Sequence, residues 1–64
     1  MLEYMKTILQ KVSFDKKLFE KELKKAIASL VNEEIKILKA WCYEKFGQTY
    51  AAILNNCFAS VSVN

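Results

Sequence analysis

The chain has 64 residues and a mass of 7.4 kDa, which is one small domain, too short for a two-domain enzyme. It carries ten lysines, no arginine, seven acidic residues and no histidine, for a formal charge of +3. Without an imidazole, the serine and cysteine triads that depend on one are excluded, and so is the commonest zinc ligand.

Residues 1–13 allow two readings. Leu2, Met5, Ile8 or Leu9, and Val12 fit one stripe of a helix, whereas Ile8, Gln10, Val12 and Phe14 alternate as in an extended arm. Helix is the better reading, because a lone strand has nothing to pair with in a monomer. Met5 could also serve as an alternative start, which would make the first residues dispensable. Glu3 and Lys6 interrupt the apolar run that an export signal needs, so none is expected.

Asp15 to Val31 is the clearest helix. Phe19, Leu23, Ala26, Ile27 and Leu30 follow the i, i+4, i+7, i+8, i+11 spacing of an amphipathic stripe. Ser13 or Asp15 can cap it by accepting the free N–H groups of its first turn. A second helix is expected from Asn32 as N-cap, with Glu33 and Glu34 on the first turn, where the helix dipole favours negative charge. Lys45 falls in its last turn, and Gly47 just beyond is expected to stop it with a positive φ. Ile35, Leu38, Cys42 and Phe46 form the inner stripe. Ile37 and Trp41 widen the apolar arc on one flank and Tyr43 on the other.

Thr49 is expected to cap a third, shorter helix with Tyr50, Ile53, Leu54, Cys57 and Phe58 on one side. Residues 59–64 read as a frayed tail. Residues 46–64 carry no charge, but Gln48, Asn55, Asn56, Ser60 and Ser62 interrupt them. The longest apolar run there, Tyr50 to Leu54, is far short of the about 20 residues that span a bilayer. The fold expected is all-α: a single domain over residues 1–64, built as a small antiparallel bundle of three helices, or four if the N-terminal segment is helical.

Charge is unevenly placed. Residues 6–25 hold seven lysines against Asp15, Glu20 and Glu22, and the rest of the chain is close to neutral. At about 100° per residue, Lys17, Lys21, Lys24 and Lys25 gather opposite the apolar stripe. This is a candidate anion-binding face, able to neutralise phosphates with strong salt dependence. It is also what an ordinary solvated helix face looks like. Glu20 with Lys24 and Glu22 with Lys25 are spaced for ion pairs within one helix. Lacking arginine, the chain has no bidentate fork for guanine or phosphate. A helix-turn-helix reading would put Glu33 and Glu34 against phosphates, which argues against sequence-specific DNA binding.

Trp41, Tyr43, Phe46, Tyr50 and Phe58 gather around Gly47, as the core of a helical hairpin would. Trp41 is too large to bury in so small a core without another surface, so Ile37, Trp41 and Tyr43 are the candidate partner interface. Cys42 and Cys57 both fall on inward stripes and read as packed thiols, with a disulfide as the alternative. Neither sits at a helix N-terminus or beside a base, as a nucleophilic thiolate would. Glu33 and Glu34 are adjacent and point apart, so no carboxylate pair suits acid–base catalysis.

The expectation is therefore a non-enzymatic cytoplasmic binding module without cofactor or metal. It would engage a second copy of itself or a protein partner, since a core this small benefits from such a staple. Non-specific nucleic-acid binding through the lysine face is the alternative. A lytic cationic peptide is disfavoured by the seven acidic residues.

Overall fold

A computed structural model of the protein describes residues 1–59, and its elements are four helices: α1 (Leu2–Lys11), α2 (Lys16–Ser29), α3 (Asn32–Phe46) and α4 (Ala51–Ala59). The N-terminal segment is thus helical. Of the expected tail, Ala59 closes α4, and residues 60–64 lie outside the described residues.

Local chemistry sets most of the boundaries. The Asp15 carboxylate accepts from the backbone N–H of Lys17 at 3.0 Å and of Leu18 at 3.2 Å, so Asp15 caps α2. Ser13 does not: its hydroxyl donates back to the Gln10 carbonyl at 2.8 Å and helps close the turn after α1. Between α2 and α3 stand only Leu30 and Val31, both extended, with ψ of 152° and 164°.

Three end signals are relocated by one residue or change character. Asn32 is the first helical residue of α3, and the cap position falls to Val31. Valine offers no acceptor, so the end is stabilised from inside the helix, where the Glu34 carboxylate accepts from the Val31 N–H at 3.4 Å. Likewise α4 begins at Ala51 rather than after a Thr49 cap, and the Tyr50 carbonyl takes its first bond, from Leu54 N–H at 2.9 Å. Gly47 has φ −58° and ψ −35°, ordinary right-handed backbone, not the positive φ expected of a helix stop. Its role is close approach: a β-carbon at Gly47 would stand 2.2 Å from the Tyr43 carbonyl oxygen, far inside van der Waals contact.

The helices pack as two pairs. α1 lies on α2 and α3 on α4, and the pairs meet through α2 against α4 and α1 against α3. Every helix contributes to one core. Leu9 comes from α1, Phe19, Leu23 and Ala26 from α2, Ile35, Leu38 and Cys42 from α3, and Ile53, Leu54, Cys57 and Phe58 from α4, with Leu30 buried between α2 and α3. Phe19 is fully enclosed, its ring edge-on to Phe46 at 5.0 Å and tilted over Tyr50 at 4.7 Å. Such pairs add about 0.5–1.5 kcal/mol each beyond the area they bury. No buried polar side-chain atom lacks a partner among the described residues.

Candidate functional site

The broad apolar arc of α3 has a structural use: α1 covers one of its flanks and α4 the other. This divides the candidate interface residues. Tyr43 turns toward α4, where its hydroxyl donates to the Asn55 side-chain oxygen and its ring lies 6.4 Å from that of Phe58. Trp41 turns toward α1. Its half-buried ring stands edge-on to Phe46 at 5.6 Å, and the Lys6 ammonium sits 5.7 Å from its centroid, near enough for a cation–π contact. Ile37, one turn before Trp41, is 52% exposed and has no such cover. Ile37 and Trp41 therefore share one surface, and Tyr43 belongs to another.

Val31 extends the first surface and is 63% exposed. Glu34, Ile37 and Trp41 follow at steps of three and four along one ridge of α3, and Val31 stands just before its first turn as the extended cap residue. The sequence reading placed Val31 at the end of the preceding helix, which hid this ridge. Only the two-residue extended connection puts it at the head of α3.

The lysine face is also divided. Lys24 pairs with Glu20 at 3.6 Å and Lys25 with Glu22 at 3.6 Å, within α2 and at partly exposed positions. Lys6 pairs with Glu3 at 3.3 Å on α1. Lys17 and Lys21 are exposed and make no ion pair among the described residues, and the same is true of Lys11 and Lys16 at the turn between α1 and α2. The uncompensated positive charge thus moves from the middle of α2 to its beginning. Two apolar side chains stand there that sequence reasoning did not assign to any surface: Phe14, 81% exposed, and Leu18, 39% exposed.

Both cysteines are buried thiols. Burial pushes the Cys42 thiol up to about 12; neighbouring Cys57 adds to the rise and Lys6 opposes it. Burial likewise raises Cys57, with Glu20 adding and Lys24 opposing. A thiol held protonated in this way is a packing group at neutral pH. Among the described residues there is no pocket and no group of three or more His, Cys, Asp or Glu placed to hold a metal. No helix among the described residues is long and apolar enough to cross a membrane. Comparison of the chain with protein-family models, with curated proteins and with solved structures finds no match in any of the three.

Proposed function

We propose that this protein is a small helical interaction module that associates with a second copy of itself along the Val31–Ile37–Trp41 ridge of α3. The supporting observation is Ile37, a large aliphatic side chain 52% exposed beside a tryptophan that the core covers only in part. Aromatic and aliphatic anchors that are half-covered in the monomer and rimmed by polar groups typify the centres of protein interfaces. An interface of about 800 Å² per partner would occupy roughly a fifth of the 4249 Å² the chain exposes. The reading includes no catalytic step and no cofactor.

Light scattering on a sizing column across a concentration range tests it. The expected result is a mass that rises toward the dimer with concentration. Ile37→Glu should return the chain to the monomer with its helical circular dichroism intact, because Ile37 contributes little to the core. A constant monomer mass at every concentration would overturn the reading. Non-specific nucleic-acid binding is the second reading, favoured by Lys17 and Lys21, which make no ion pair among the described residues. It has less surface than the sequence suggests, because Lys24 and Lys25 are each paired within their helix.

A further inference from the structure

The α1–α2 corner carries a surface distinct from the α3 ridge. Lys17, Leu18 and Lys21, at i, i+1 and i+4, lie along one side of the first turns of α2, and Phe14 stands in the turn just before its cap. All four are exposed. Lys11 stands three residues before Phe14, at the end of α1. The corner therefore brings two exposed apolar side chains into the same short stretch as lysines that have no ion-pair partner among the described residues.

Phe14 is 81% exposed although it holds a position from which an apolar side chain often packs back onto its own helix. It precedes the cap residue Asp15, and Phe19 stands four residues into the helix. These are the two positions that form a hydrophobic staple when they pack together. Here Phe19 is in the core and Phe14 faces water.

The backbone that presents Phe14 is anchored on both sides. Before it, the Ser13 carbonyl accepts from the Tyr50 hydroxyl, thirty-seven residues along the chain. After it, the Asp15 carboxylate closes the first turn of α2. Both contacts hold the turn with the ring outside, so little ordering remains to be done on binding.

Nearby acidic groups are already engaged. Asp15 is bound to backbone N–H groups at the positive end of α2. Glu22, one turn beyond Leu18, is held by Lys25, and Glu20 by Lys24. The face thus presents a phenylalanine tip and a leucine within positive charge. That chemistry suits an anionic lipid surface, where the ring enters the headgroup boundary while the lysines remain at the phosphates.

We propose that the folded domain docks peripherally on anionic bilayers through Phe14 and Leu18, with Lys11, Lys17 and Lys21 supplying the electrostatic attraction. Docking of this kind neither spans the bilayer nor requires the helix to unfold. It does not depend on self-association along α3.

Sedimentation of the full chain with phosphatidylserine-containing and with pure phosphatidylcholine vesicles tests the proposal. The chain should partition to the anionic vesicles and be released by high salt. Phe14→Ala should weaken binding by about tenfold at unchanged charge, and Lys17→Gln or Lys21→Gln by about fivefold each. Circular dichroism should show all three folded, since the side chains are exposed. In a Trp41→Phe background, Phe14→Trp should give emission that shifts to the blue and is quenched by brominated lipid.

Equal binding to the two vesicle types would overturn the proposal. So would Phe14→Ala binding as tightly as the parent, or retention on a single-stranded oligonucleotide that is tighter than on vesicles.

Discussion

Phe14 and Phe19 are five residues apart on either side of one helix start, and their surroundings are opposite. Phe19 is sealed between α3 and the α3–α4 connection, edge-on to Phe46 and over Tyr50. Phe14 is 81% exposed, close in the chain to lysines that make no ion pair among the described residues. The two have the same hydrophobicity, and the intervening turn decides which is core and which is surface. Asp15 starts α2 so that Phe19 joins the inward stripe with Leu23 and Ala26, while the residue before the cap is left outside it. The comparison separates the part of the molecule that keeps it folded from the part available for binding.

The largest effect that would break this contrast is on stability. Phe19→Ala should cost about 3–5 kcal/mol, the usual range for emptying a buried aromatic site, and would unfold most of a domain this small. Phe14→Ala should change stability by no more than about 0.5 kcal/mol. Thermal melts followed by circular dichroism read both directly, and equal losses would mean that Phe14 is part of the core after all.

A second test concerns the same interior through its thiol. The Cys42 pKa is raised from 9.0 to about 12 in the folded chain. Below pH 9 both states hold the proton. Between pH 9 and 12 the unfolded thiol ionises while the folded one does not, so stability falls as pH rises, by roughly 1.4 kcal/mol per pH unit at full slope. Urea unfolding across this range should show a shallower alkaline loss for Cys42→Ala than for the parent.

The smallest effect sharpens the link between the two regions. Tyr50 packs on Phe19 through its ring and holds the Ser13 carbonyl through its hydroxyl. Tyr50→Phe should keep the ring contact and cost about 1 kcal/mol. Hydrogen exchange of the Ser13–Asp15 amides should quicken by more than that of the α2 interior. Equal acceleration throughout would show that the hydroxyl does not specifically brace the corner.

The helices themselves were legible from short-range pattern. The apolar spacing of Phe19, Leu23 and Ala26 and the Asp15 cap each depend on neighbours within a turn or two. So do the Glu20–Lys24 and Glu22–Lys25 pairs, which form as their spacing suggests. The N-terminal segment was ambiguous between helix and arm because its apolar residues fit both periods. Packing on α2 and α3 resolves it as α1. Gly47 was misread because its usual use at a helix end is a positive φ. Its use here, room for the Tyr43 carbonyl, depends on the exact path of the turn.

The candidate surfaces were only partly legible, for a different reason. Ile37, Trp41 and Tyr43 are apolar residues on one helix, but which of them a neighbour covers depends on how the helices dock. Tyr43 is taken by α4 and Trp41 partly by α1, leaving Ile37 with Val31. Lysines at Lys17, Lys21, Lys24 and Lys25 look alike in sequence, although the internal pairs leave only the first two unpaired among the described residues.

The sequence by itself determined that this chain is helical and that positive charge collects in its first half. These follow from interactions within a few residues of one another, namely side-chain periodicity, capping and local ion pairs. Only the tertiary structure decided which apolar side chains remain outside the core. That depends on contacts between segments far apart in sequence, such as Tyr50 with Ser13 and Phe46 with Phe19, which place Phe19 inside and leave Phe14 and Ile37 at the surface.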